Sequence, residues 1–267
     1  MSLLPVSTVP VTTVPVSVRP VVLALLLPAC AGSAPAPAPQ SAPESAATTS
    51  AAAAPAKPIP PAINPGAVLA VPLLDDLEDG NHQTVIAEGR GGYWYTYADE
   101  TSKVEPSGTF SPTAGGAEGS AFAARMQGQI GTKQYPYAGI GFNLTDPMDP
   151  YDLSSCEGIS FRAKKGSAEA VSVVRLKVGD VYTVPQGNVC KACYNDFGED
   201  LTLTPEWTLH EVKFADMRQE AYWGEPRPKL DVSRVFQVQF LVKDPSAPFD
   251  VWLDDFRLLG CKGAKAP

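Results

Sequence analysis

Apolar and polar positions alternate with a period of two through much of the C-terminal two thirds of the chain. Phe236, Val238, Phe240 and Val242 share one phase, and Gln237, Gln239 and Leu241 share the other. The stretch from Val171 to Val178 does the same: Val171, Val173, Arg175 and Lys177 oppose Ser172, Val174, Leu176 and Val178. Ile159–Ala163 is a third run and Phe249–Leu259 the last. Trp207 to Phe214 is another, and its phase slips at His210–Glu211, where a bulge is expected. Successive strand side chains face opposite ways, so this pattern predicts strands. Gly, Pro, Asp and Asn punctuate the runs, and the one helical candidate is a turn at Ala215–Arg218. Many short strands separated by such turns predict an antiparallel β-sandwich.

The N-terminal part reads differently. Val21 to Leu27 is an apolar run after Arg19, too short to span a membrane and similar to the core of a signal peptide. Leu27-Pro28-Ala29-Cys30 resembles the lipobox of bacterial lipoproteins, in which cleavage precedes a lipidated cysteine. Residues 1–29 are thus expected as a signal peptide, and Cys30 as a lipid anchor in the bacterial cell envelope. From Ala31 to about Gly66 the chain is nearly all Ala, Pro, Ser and Thr, with little to bury. A disordered, lipid-anchored linker is expected over 30–66. One domain is expected over 67–262, with a short tail at 263–267.

Charge narrows the partners. The formal net charge is −8 and no basic stripe is visible, so nucleic-acid binding is not expected. The chain shows no dinucleotide-binding glycine fingerprint, no P-loop, no Gly-x-Ser-x-Gly elbow and no His-Glu-x-x-His. After Cys30, four cysteines remain, and three pairings are open. Cys190–Cys193 within a loop and Cys156–Cys261 between distant segments are favoured. A zinc site lacks its second pair of ligands, and Cys190-x-x-Cys193 leads into a turn where a redox motif opens a helix.

Two acidic clusters bracket the domain: Asp75-Asp76-Leu77-Glu78-Asp79-Gly80 near its start and Asp254-Asp255 near its end. Each adjoins an apolar strand-like run, where carboxylates are costly to desolvate without a partner. A hard cation is such a partner, and Ca²⁺ is the usual one outside the cell.

The order of segments resembles family 11 carbohydrate-binding modules and their jelly-roll relatives. The residues that carry the resemblance run from Leu74 to Gly80, Tyr151 to Phe161, Trp207 to Met217, Leu230 to Val235 and Val251 to Leu258. Together they span about Leu73 to Gly260. The resemblance implies an all-β jelly-roll sandwich with a structural Ca²⁺ near the chain ends and a sugar on a concave sheet face. It places Glu78 and Asp254 as metal ligands, with Asp76 beside them; Asp255 falls where the family often has Asn.

Sugars are held by aromatic faces and by planar polar side chains, so the aromatic-rich segments are the candidates. Gly91 to Asp99 is the densest, with Tyr93, Tyr95 and Tyr97 on one side and Trp94 on the other. Tyr135 and Tyr137 share a second segment and Trp223 lies in a third; in the resembled family these regions line the cleft. Asp196, beside Asn195, and Arg218 are the polar candidates. Trp207 and Trp252 read as core. The expected protein is a monomeric, non-catalytic lipoprotein that binds a polysaccharide or cell-surface glycan. The alternatives are a structural or adhesion sandwich without sugar binding, and a carbohydrate-active enzyme with an atypical site.

Overall fold

The structure is a computed structural model and describes residues 57–264. The expected signal peptide, Cys30 and the linker up to residue 56 lie outside the described residues. The strands, in chain order, are β1 (Leu73–Asp75), β2 (Trp94–Ala98), β3 (Lys103–Glu105), β4 (Thr113–Ala114), β5 (Phe122–Gln129) and β6 (Ala138–Asn143). They continue with β7 (Gly158–Lys165), β8 (Val173–Asp180), β9 (Phe197–Thr202), β10 (Thr208–Lys213), β11 (Val235–Val242) and β12 (Pro248–Leu259). A single 3₁₀ turn, Pro185–Gly187, is the helical content of the described residues; the turn expected at Ala215–Arg218 falls at 214–216, and Arg218 bridges to Gly198.

Two antiparallel sheets make a jelly-roll sandwich. One is five-stranded, in the order β2-β6-β11-β8-β9. The other is seven-stranded, β10-β7-β12-β5-β3, with β1 added on β12 and β4 on β5. The period-two pattern decides which side of each strand faces inward. Val238, Phe240 and Val242 of β11 and Val174, Leu176 and Val178 of β8 are buried between the sheets. Aromatic rings fill the centre: Phe161 lies 4.9 Å from Phe240 and 5.6 Å from Phe256, and Trp94 lies 4.7 Å from Phe142. Stacked, tilted and edge-on pairs of this kind add to the area they bury.

The bulge does not fall where the phase slip predicts it. β10 pairs with β7 without interruption from Thr208 to Lys213, and His210 stacks on Phe161. The register breaks instead in β12 between Asp254 and Arg257, where Asp255 has φ 49°. That extra residue resets the inward phase, so Leu253 before it and Phe256 after it are both buried. Trp207 and Trp252 are not core either. Trp252 pairs across Arg125 on β5 and Lys164 on β7, and stacks under both cations on the outer face of the seven-stranded sheet.

Both favoured disulfides are present. Cys156–Cys261 joins the start of β7 to the end of β12 across 105 residues, and Cys190–Cys193 closes a small loop. The chain joins the domain before Ala67. The N–H of Ile63 donates to Pro150 O (2.7 Å), and that of Gly66 donates to the Asp152 carboxylate (2.7 Å).

Candidate functional site

The outer face of the five-stranded sheet collects the polar phase of its strands. Across one row lie Tyr95 of β2, Gly141 of β6, Gln239 of β11, Lys177 of β8 and Gly198 of β9. Beside it run Tyr97, Gly139, Leu241, Arg175 and Asp200. Small residues on β6 make a floor for their neighbours. A Cβ on Gly139 would collide with the Tyr97 ring, and one on Gly141 would come within 2.8 Å of the Gln239 side chain. Glycine at these two positions therefore lets tyrosine and glutamine lie down across the sheet.

Three tyrosines form a line. The rings of Tyr95 and Tyr97 are 6.1 Å apart, and those of Tyr97 and Tyr137 are 6.2 Å apart. Two of the hydroxyls are tied to the glutamines: Tyr95 Oη donates to Gln237 Oε1 (2.8 Å) and accepts from Gln239 Nε2 (2.9 Å), and Tyr97 Oη donates to Gln239 Oε1 (3.4 Å). Burial pushes both the Tyr95 and Tyr97 phenols above the usual tyrosine range, so they stay protonated. An apolar ring row edged by fixed amide and phenol groups suits a hydroxyl-rich, planar-faced ligand.

Asp99, the residue after β2, sets the third ring. Its carboxylate takes the N–H of Tyr137 (2.6 Å), the Ser102 hydroxyl (2.6 Å) and the N–H and hydroxyl of Thr101 (both 2.7 Å). Burial opposes its ionisation, but these hydrogen bonds outweigh burial and hold Asp99 well below the usual carboxylate range. Tyr135, two residues earlier, is 82% exposed and outside the ring row.

The β8–β9 half is polar and covered. Lys177 Nζ donates to Tyr194 O (2.9 Å) and pairs with Asp196 (3.1 Å). Arg175 pairs with Asp200 (2.9 Å) and donates to Arg218 O (2.5 Å). Asp196 is 1% exposed, so it reaches no ligand while this side stays closed. Asn195 is a clamp: its Nδ2 donates to Glu220 O (2.9 Å) and Trp223 O (2.7 Å), and its Oδ1 accepts the Glu220 N–H (3.0 Å). The Arg218 guanidinium closes its own turn on Ala215 O and Met217 O, away from the tyrosine row. Trp223 is half-exposed in the following loop.

Of the residues singled out in the sequence, Tyr95, Tyr97 and Tyr137 come together. Gln237, Gln239, Arg175, Lys177 and Asp99 are additions. The first four were visible as the polar phase of their strands, which here is the outer face. Asp99 showed only a local turn with Thr101 and Ser102; its hold on the Tyr137 N–H, 38 residues away, left no trace in the sequence.

At the domain's ends, the β12 bulge turns Asp254 toward the loop before β5. Asp254 accepts the N–H of Ala117 (2.7 Å) and of Asp255 (2.7 Å). Glu78 accepts those of Ala121 (3.0 Å) and Phe122 (2.9 Å) from the same loop. Burial raises the Asp254 carboxyl to about 6, and the charges of Asp255 and Glu78 add to the rise. A Cβ on Gly116 would meet Asp254 Oδ2 at 2.8 Å, so the loop approaches as only glycine allows. All four carboxylate oxygens of Glu78 and Asp254 thus accept backbone N–H groups. Asp76 accepts the Glu78 N–H within its own turn (3.4 Å). No group of three or more acidic, His or Cys side chains converges on one point among the described residues.

No family model matches the chain, and no curated protein does. Solved structures do. One is the family 11 carbohydrate-binding module of the cellulosomal cellulase Lic26A-Cel5E of Clostridium thermocellum, at 17% identity and TM-score 0.52, over 75% of this chain and 99% of that one. Another is a family 11 module from Clostridium thermocellum in complex with a β-1,3-1,4-mixed-linked tetrasaccharide, at 16% identity and TM-score 0.51, over 73% and 98%. At this identity the likeness is one of architecture, and the described domain has the jelly-roll fold seen in the family 11 carbohydrate-binding modules.

Proposed function

We propose that this protein is a non-catalytic, cell-envelope lipoprotein whose β-sandwich binds a polysaccharide. The observation that carries this is the line of Tyr95, Tyr97 and Tyr137 on a glycine floor, edged by Gln237 and Gln239. A module of the same fold was solved with a mixed-linked tetrasaccharide, which supports a glycan as ligand. The non-catalytic part rests on the acids of this side. Asp196, Asp200 and Glu220 are each tied to a cation, Lys177, Arg175 and Lys243 in turn, whereas glycoside hydrolysis needs a carboxyl free to donate its proton. Titrating the full chain with soluble glycans by calorimetry tests the ligand. Binding that Tyr97→Ala weakens by about tenfold or more is expected, and no binding to any glycan sinks the proposal.

Calcium belongs to the same reading, held by Glu78 and Asp254 with the remaining oxygens from backbone or water. It would pin the loop before β5 to both ends of the domain, away from the tyrosines. A bound ion raises stability by about 2.7 kcal/mol at a hundredfold excess over its dissociation constant. A chelator that leaves the melting temperature unchanged counts against it. The anchor at Cys30 is tested by intact mass of the membrane fraction.

A further inference from the structure

The stretch from Cys190 to Asn195 holds the segment from Gln219 to Arg227 at two separate places. The first is Asn195, which is buried. Its side chain holds Glu220 and Trp223, and its carbonyl accepts from Gln219 Nε2 (2.7 Å). The second is the Cys190–Cys193 loop. The N–H of Lys191, inside that loop, donates to Glu225 Oε1 (2.7 Å). The N–H of Lys191, with that of Ala192 and the charge of Arg227, holds the Glu225 carboxyl below the usual range. Successive N–H groups turned toward one carboxylate form an anion-binding nest. The disulfide joins the residues on either side of Lys191 and Ala192, so it fixes the shape of that nest.

The two disulfides stand in different surroundings. Cys156 and Cys261 are 7% and 9% exposed, and their bond closes a separation of 105 residues. Cys190 and Cys193 are half-buried, the two residues between them are exposed, and their separation is 3. Attack on a disulfide needs access to a sulfur, and a small ring gains little from chain entropy. Lys191 adjoins Cys190 in the chain, and a neighbouring cation favours the thiolate that must leave. No helix follows this loop among the described residues, so no helix N-terminus supports the thiolate as in thiol oxidoreductases. The loop is built to change state, not to turn over.

We infer that Cys190–Cys193 is a reactive disulfide that exchanges with an external dithiol, and that its reduction releases Glu225 while Asn195 keeps its hold. One thiolate of the dithiol bonds to a sulfur of the pair as the S–S bond breaks. The other cysteine leaves as a thiolate and takes up a proton. The second thiolate of the reagent then displaces the first cysteine, which is protonated in turn. The pair gains two electrons and two protons, and the dithiol ends as a disulfide. Without the cross-link, nothing keeps both N–H groups aimed at Glu225. The ties of Glu220 and Trp223 to Asn195 and of the Arg227 N–H to Gln219 Oε1 (2.7 Å) do not involve the loop and persist. Neither step depends on the polysaccharide reading.

Graded dithiothreitol on the native, intact protein tests the reactivity, read by alkylation and peptide mass mapping. Cys190 and Cys193 are expected to be alkylated while Cys156–Cys261 stays oxidised. Equal loss of both disulfides, or no loss at Cys190–Cys193, overturns the inference. Amide exchange by NMR tests the release. Reduction should raise exchange of the Lys191 and Ala192 amides about two- to fivefold and leave the Glu220 amide, which Asn195 holds, unchanged. The Glu225 carboxyl, titrated by carbon NMR, should rise toward the usual glutamate range. The double variant Cys190→Ser with Cys193→Ser should show both changes without any reagent. If the reduced protein and the double variant keep Glu225 low and the two amides protected, the nest needs no cross-link and the release is overturned. Loss of protection at Glu220 as well shows the whole stretch opening, and overturns it too.

Discussion

The two outer faces of the sandwich carry the same kinds of side chain in opposite arrangements. On the seven-stranded sheet, Arg125 stacks over Trp252 at 4.5 Å, and Lys164 sits between Trp252 and Trp207 at 4.9 and 4.8 Å. The indoles there already have the protein's own cations on them. On the five-stranded sheet, no cation lies over Tyr95 or Tyr97 among the described residues. The Tyr97 ring lies across Gly139, and the hydroxyls of both tyrosines are held by glutamines. The difference shows that aromatic content does not mark a ligand site by itself. A ring that has spent its face on an internal partner stabilises the fold, and one whose edges are fixed while its face is free is available for recognition.

The largest expected effect separates the faces directly. Trp252→Ala should cost about 1–2 kcal/mol of unfolding stability through its two cation–π contacts and leave glycan affinity within about twofold. Tyr97→Ala should do the reverse, weakening affinity by about tenfold or more at little cost in stability. Parallel denaturant melts and titrations read both, and equal affinity losses would erase the distinction between the faces. Gly139→Ala sharpens it: the added methyl displaces the Tyr97 ring, and an affinity loss of about tenfold is expected without removing any contact atom.

Asp99 gives a smaller, pH-dependent test. Its carboxyl lies below the usual range when folded, so the stability it contributes is full above its unfolded value near 4. That stability fades as pH falls through the lower, folded value. The Tyr137 segment should hold at neutral pH and loosen in acid, followed by Tyr137 ring resonances in NMR. Asp99→Asn should flatten that acid dependence and weaken affinity several-fold. The smallest effect belongs to Lys133, whose ammonium lies 5.6 Å from the Tyr137 ring and pairs with Glu100 at the surface. Lys133→Ala should change affinity by no more than about twofold.

Much of this was legible in the sequence. The strict alternation of Phe236 to Val242 predicted a strand with glutamines on one side, because period two is a local property of extended chain. The ordered segments from Leu74 to Leu258 carried the sandwich, and the spacing of Cys190 and Cys193 carried one disulfide. The failures share a cause. The phase slip in β10 was taken for a bulge, but His210 is accommodated by stacking on Phe161, a neighbour 49 residues away. Trp252 was read as core because it is large and sits in an apolar run, yet its side is set by a strand whose two partners both present cations. Arg218 looked free for a ligand, but its own turn uses its donors.

By itself, then, the amino-acid sequence determined which segments are strands, which side of each is apolar, and that acids stand at both ends of the domain. These follow from backbone geometry and side-chain type, which act over a few residues. The tertiary structure alone decided which polar phase became an open face, which aromatics kept a free ring, and that Asn195 clamps the segment from Glu220 to Trp223. Those depend on cross-strand neighbours and loop paths far apart in the chain, whose contacts are selected only when the whole core packs.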